Sequence, residues 1–191
     1  MKEHPILFNG EMVRAILDGR KTMTRRVMKC AIWKDIEIPN PAAPYHYGKV
    51  STARPCPYGQ PGDRLWVRET WCPQINIFGI GLEDRVPFYR AADGKELPTC
   101  HKWRASFHMP RWASRITLEI VSVRVEQVQE INDTDAKAEG VQAVIGKKIH
   151  GWTPHCLEFS LLWDSINAKR GYGWGANPWV WVIEFKRMEG K

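Results

Sequence analysis

The chain contains no Cys-x-x-Cys pair, no apolar run long enough to cross a bilayer and no repeat of fixed period. These absences argue against a structural zinc site, a transmembrane helix and a solenoid. The opening MKEHPILF has no long apolar core, so no secretory signal is expected. The five cysteines, Cys30, Cys56, Cys72, Cys100 and Cys156, are scattered and odd in number. That usage suits reduced thiols and a cytoplasmic protein. Cys100-His101 and His155-Cys156 have the donors to meet at a metal, but free thiols are the simpler reading. No metal or cofactor is expected. Acidic residues are also in short supply: 21 Asp and Glu face 28 Lys and Arg, for a net charge of +7. A pI near 9.3 favours an anionic partner, with nucleic acid the commonest.

The 191 residues, 43% of them hydrophobic, suffice for one domain with a real core. The charge is uneven. Residues 1–30 and 99–124 each carry an excess of four positive charges, and residues 125–145 carry an excess of four negative ones. The DGRKTMTRR stretch, Asp18 to Arg26, is the densest basic segment. Four of the eight residues after Asp18 are Arg or Lys, within reach of two threonine hydroxyls.

Ile6 to Phe8 reads as a short strand. Asn9 is placed to cap a helix from Gly10 to Asp18, with Met12, Val13, Ile16 and Leu17 as its buried stripe. Gly19 is the natural residue past its end, and Thr22 to Val27 reads as a strand. The Pro-rich residues 29–62 read as irregular insertion. A turn at Gln60 to Asp63 launches a strand from Arg64 to Trp71, with Leu65, Val67, Glu69 and Trp71 on its inner face. A short hairpin strand is expected at Val86 to Ala91. Ser114 to Val128 forms the longest strand signal, and its alternation slips phase at Ile120-Val121, as a β-bulge would make it. Asn132 or Asp133 caps a short helix through Glu139, closed by Gly140. Thr153-Pro154 opens another helix, with Phe159, Leu162, Trp163 and Ile166 at helical spacing. Trp179 to Arg187 is a final strand. This order reads as α+β with a curved sheet or small barrel.

Four blocks, PILFNGEMVRAILDGRKTMTRR, GQPGDRLWVRETW, INDTDAKAEGV and WVWVIEFKR, together resemble the ASCH domain family, and more closely its phage and prophage branch. The resemblance implies a PUA-like β-barrel with flanking helices. It implies a single domain over 1–191, with insertions near 29–62, 73–112 and 141–178. It also implies that RNA, single-stranded nucleic acid or a modified nucleoside is the partner. One branch of short bacterial members hydrolyses N4-acetylcytidine with a Lys-Thr-Glu triad, the Lys and Thr lying in a Gly-Arg-Lys-Thr-x-Thr motif. Here that motif is Gly19 to Thr24, so the resemblance points to Lys21, Thr24 and Glu139. Other family members are linked to ribonuclease activity. A ribonuclease-like protein and a non-catalytic interaction module therefore stand beside an amidohydrolase acting on an N4-acylated cytidine-like base.

Amide hydrolysis needs a nucleophile, a proton shuttle and stabilisation of an oxyanion. Thr24 has the hydroxyl to attack or to position water. Lys21 would serve as a base if burial and nearby cations lower its pKa, or as an oxyanion stabiliser if it stays charged. Glu139 falls at a helix C-terminus, where the dipole disfavours a carboxylate unless a cation pairs with it. Lys21 and Thr24 are three apart, so they converge only if Lys21 lies in the turn after Gly19 and the strand begins at Thr22. Arg20 and Arg26 are candidate phosphate contacts. Glu69 is an inward carboxylate that suits either a ligand or an internal Arg. Arg68, Trp103 and Arg111 belong to cation-and-aromatic segments of the kind that follow a phosphate backbone and stack bases, or that pack over the sheet.

Overall fold

The computed structural model describes residues 1–28, 55–73, 87–93, 102–143 and 153–188. Most of the first insertion and parts of the other two lie outside the described residues, as do Cys30, Cys100, His101 and Val86.

The architecture is α+β. A mixed five-stranded sheet runs in the order β1 (Glu3–Leu7), β3 (Arg64–Arg68), β6 (Thr117–Gln127), β7 (Trp179–Arg187) and β2 (Met23–Val27). The β1–β3 pair is parallel, and the other neighbours are antiparallel. The two outermost strands, β1 and β2, approach one another, because Arg26 Nη2 donates to the Leu7 carbonyl at 2.6 Å. The sheet is therefore strongly curved. Part of that bend comes from the predicted bulge: the β6–β7 register shifts between Ile120 and Ser122, leaving Val121 exposed.

The helices follow their caps. Asn9 Oδ1 accepts from the Met12 amide at 2.8 Å and starts α1 (Gly10–Leu17). Asn132 does the same for α3 (Asp133–Ala138), and Thr153 for α4 (Pro154–Asn167). Gly19 and Gly140 end α1 and α3 at φ +74° and +84°. The buried side of α1 is Val13, Ala15 and Ile16. Met12 and Leu17, expected in the stripe, are only half-buried at the margin of that core.

Strand β7 passes between two cores. Val180 and Val182 point to one face and pack with Met23, Phe159 and Trp163 under α4. Ile183 and Phe185 point to the other and pack with Ile6, Val13, Leu65 and Leu118 under α1. A strand covered on both faces reads as a nearly unbroken apolar run, as WVWVIEF does.

Two expected strands are shorter than their patterns. The Arg64 to Trp71 run breaks at Glu69-Thr70. Its end, β4 (Trp71–Cys72), instead pairs with β5 (Phe88–Tyr89) in a separate two-stranded sheet. The alternation survives the break, and Leu65, Val67, Glu69 and Trp71 are all buried. The expected hairpin strand up to Ala91 reduces to β5, because Arg90–Asp93 turns into the short helix α2. No helix among the described residues is long and apolar enough to cross a membrane.

Candidate functional site

The turn after Gly19 is built by backbone bonds to two helices. The Arg20 and Lys21 amides both donate to the Ala15 carbonyl, at 2.8 and 2.9 Å, and the Thr22 amide donates to Ala138 at 2.8 Å. Lys21 therefore lies in an isolated antiparallel bridge with Glu139, and the strand proper begins at Met23, one residue later than expected. This bend turns the Lys21 side chain toward Glu139 and the Met23 carbonyl. Its Nζ donates to Met23 O at 2.7 Å, Glu139 O at 2.9 Å and Glu139 Oε2 at 2.7 Å. All three ammonium hydrogens are thus used, and the side chain is wholly buried. Burial pulls the Lys21 ammonium below its ordinary range, Glu139 opposes that pull, and the Arg26 and Arg25 charges reinforce it. The sequence suggested burial together with neighbouring cations, Arg25 and Arg26 among them. These cations contribute less than burial does.

Glu139 caps the C-terminus of α3, and its carboxylate is divided between two roles. Oε2 is held by Lys21. Oε1 is buried and has no hydrogen-bond partner; its nearest cation is Arg25 Nη1, at 3.5 Å. Close behind lies a network of ion pairs. Arg25 Nη2 contacts Asp135 at 2.6 Å and Glu126 at 3.1 Å, and Arg124 joins Asp135, Glu126 and Glu184. This network fixes β2, β6 and α3 to each other, and so fixes the ground on which Glu139 stands.

Thr24 and Glu139 line one cavity of about 290 Å³ between β2 and α4. Tyr58, Phe159, Trp163 and Tyr172 supply its aromatic walls, and Arg26, Asn167 and Arg170 supply polar groups. Thr24 is buried, and its hydroxyl has no hydrogen-bond partner among the described residues. A second, more open cleft of about 430 Å³ adjoins it, with Met12, Glu139 and Leu162 common to both. Arg20 lines this cleft, where it donates to Gly140 O at 3.2 Å and pairs with Asp18.

The remaining candidates lie elsewhere. Glu69 grips Arg115 in a bidentate pair at 2.9 and 3.0 Å, and the Arg115 guanidinium stacks on Tyr89. Arg68 donates to Met109 O at 3.1 Å and to Phe107 O, and lies over Trp66. Arg111 holds Glu3 at 2.8 and 3.1 Å. Trp103 is half-buried. These four residues line neither cavity. Among the described residues no group of three His, Cys, Asp or Glu could hold a metal; His155 pairs with Asp133, and the Cys156 thiol contacts Ile131 O. The cavity residues that sequence reading passed over, Asn167, Arg170 and Tyr172, come from the far end of α4 and the turn after it. Nothing in their local pattern tells which face of the sheet that turn meets.

The class defined by these features is an α+β domain. Its curved mixed sheet carries a buried Lys–Glu pair at the edge of an aromatic-walled cavity. No protein-family model matches the chain, and no curated protein matches it. Among solved structures, it is similar to a DUF984-family protein from Enterococcus faecalis V583, at 8% identity and a TM-score of 0.46, over 98% of this chain and 81% of that one. It is also similar to an ASCH domain from Lactobacillus crispatus JV V101, at 15% identity and a TM-score of 0.40, over 97% of this chain and 79% of that one.

Proposed function

We propose that the cavity binds a modified pyrimidine nucleoside and that Glu139 and Thr24 remove an acyl group from its exocyclic amine. The observation that carries this reading is the half-satisfied carboxylate. Glu139 is anchored through one oxygen, its other oxygen is buried with no hydrogen bond, and the residue lines a cavity together with Thr24, whose hydroxyl makes no hydrogen bond among the described residues. A buried acceptor left without a donor is costly, and such groups concentrate where a ligand completes them. The aromatic walls suit the flat faces of a base. The match of Gly19 to Thr24 with the Gly-Arg-Lys-Thr-x-Thr motif of the N4-acetylcytidine amidohydrolases, and the wider resemblance to phage and prophage ASCH proteins, points to the same chemistry.

In this scheme Glu139 Oε1 takes a proton from water or from the Thr24 hydroxyl. The oxygen so activated bonds to the acyl carbon. The C–N bond to the base then breaks, and the proton is returned to the departing amine. Hydrolysis yields the free amino base and a carboxylic acid; if Thr24 attacks, water releases the acyl group from it in a second step. Lys21 acts through Glu139. With all three hydrogens donated, it is an anchor that aims the carboxylate, not a base. Arg25, whose Nη1 lies 3.5 Å from Glu139 Oε1, is the cation placed to meet the developing oxyanion.

The test is turnover of N4-acetylcytidine followed by chromatography. Wild type should release cytidine. Glu139→Gln, which keeps an oxygen for Lys21, should lose at least about a hundredfold, the usual worth of a general base. Absence of turnover by wild type, or undiminished turnover in Glu139→Gln, removes the reading.

A second reading, RNA binding without hydrolysis, draws on a different face. Phe107 and Trp112 are 58% and 61% exposed, beside Lys102 and Arg104, and the Arg104 guanidinium lies over Trp71. Exposed aromatics among cations are the elements of a single-strand surface. RNA binding that weakens with salt and is lost in Phe107→Ala with Trp112→Ala would favour it.

A further inference from the structure

The lining of the aromatic cavity includes two guanidinium groups that the scheme above does not use. Arg26, on β2, gives one nitrogen to Leu7 O at 2.6 Å and lies over the Phe8 ring; its Nε is buried with no partner, and it forms no ion pair among the described residues. Arg170 lines the same cavity from the turn that follows α4. It is exposed and makes no hydrogen bond or ion pair among the described residues. Its charge is felt at Arg26, where it adds to the effect of burial in lowering that group's pKa. Tyr58 and Glu139 act in the opposite direction, each more strongly than Arg170, but the Glu139 carboxylate is already engaged by Lys21. Two cations thus share one small cavity without a carboxylate of their own. Like charges placed so repel, and an anion between them removes the repulsion.

A plainer cause exists for one of the two. Lys169 and Arg170 lie in the 3-10 turn, Ala168–Arg170, that follows the C-terminal end of α4, where cations complement the helix dipole. That accounts for a cation at either position. It does not account for the second, half-buried guanidinium of Arg26, which lines the same cavity from β2.

We propose that Arg26 and Arg170 form a phosphate subsite, so that the ligand of this cavity is a phosphorylated nucleoside and not a neutral one. The proposal rests on the base-binding reading of the cavity. Guanidinium forks match phosphate oxygens in number and geometry. With the base between the aromatic walls and its exocyclic group toward Glu139, the sugar phosphate is met by Arg26 and Arg170, which line the same cavity. A 5′-monophosphate and a phosphodiester within a single strand present the same chemistry to these groups.

Calorimetric titration separates the possibilities. The probes are N4-acetylcytidine, its 5′-monophosphate, and a short single-stranded oligonucleotide carrying the same base, each with Glu139→Gln protein so that no ligand is consumed. The monophosphate, the oligonucleotide or both should bind at least about tenfold more tightly than the nucleoside, a difference of about 1.4 kcal/mol. Which of them gains the advantage identifies the source of the phosphate, and either supports the proposal. Arg170→Ala should abolish the advantage, taken as the ratio of phosphorylated to nucleoside affinity within that variant. Lys169→Ala should leave that ratio unchanged, whereas a dipole role alone would make the two variants alike. Equal binding of nucleoside and both phosphorylated ligands by otherwise unaltered protein, or an advantage that survives Arg170→Ala, overturns the subsite and leaves the base-binding reading standing. Failure of all three ligands to bind overturns both.

Discussion

Replacing Lys21 by methionine removes a buried charge while keeping much of the side chain's length and volume. In the native protein, Nζ satisfies two carbonyls and one carboxylate oxygen, and its side chain has no exposure. In Lys21→Met these three acceptors lose their donor. The Glu139 side chain, 4% exposed, keeps only the longer contact to Arg25 at 3.5 Å. Breaking a buried pair from one side costs roughly 3–5 kcal/mol, because the stranded charge stays in the interior. At about 2–4 °C per kcal/mol for a chain of this size, melting should fall by roughly 10 °C. The double variant Lys21→Met with Glu139→Leu strands no charge, so it should recover most of that loss. Urea unfolding and calorimetry of both variants measure the difference. A single variant within about 1 kcal/mol of wild type, or a double variant no better than the single, would refute the reasoning that Lys21 is an anchor.

Further consequences concern the same scaffold. Gly140 has φ +84°, and a Cβ there would lie 2.9 Å from both Ala15 Cβ and Lys21 Cβ. Gly140→Ala should therefore cost at least about 2 kcal/mol in urea unfolding, and it should reduce turnover by displacing Glu139. Arg115→Leu leaves Glu69 buried and unpaired; roughly 3 kcal/mol of stability should be lost, with ligand affinity at the distant cavity unchanged in calorimetric titration. Asp133 is hydrogen-bonded by Lys137, Thr153 and His155, which hold its pKa down at about 2. A depressed carboxylate stabilises the fold above its unfolded pKa and loses that contribution as pH falls through its folded one. Stability should drop between about pH 4 and pH 2, and Asp133→Asn should flatten that part of the acid unfolding curve.

Much of this architecture is written in local signals. Asn9, Asn132 and Thr153 announce their helices, and Gly19 and Gly140 end two of them, because capping chemistry acts within a few residues. The β6 bulge shows as a phase slip at Val121 for the same reason. The position of Lys21 in a turn also follows from Gly19 and the strand after it. What sequence pattern did not reveal depends on long-range pairing. The break at Glu69-Thr70 arises because Trp71 finds Tyr89 and Arg104 as partners instead of continuing along β6. Glu69 reads as inward from its spacing, but only the fold shows that Arg115, 46 positions away, receives it. The cavity lining is the clearest case. Asn167, Arg170 and Tyr172 lie about 140 residues from β2, and only the packing of α4 against the sheet brings them to Arg26.

The central claim is that a base occupies the cavity with its acylated amine against Glu139. A crystal structure of Glu139→Gln soaked with N4-acetylcytidine tests it directly. The account predicts the base between Tyr58, Trp163 and Tyr172, with its amide within hydrogen-bond reach of residue 139 and the Thr24 hydroxyl. An empty cavity at saturating ligand, or a base stacked on Phe107 and Trp112 instead, would contradict it.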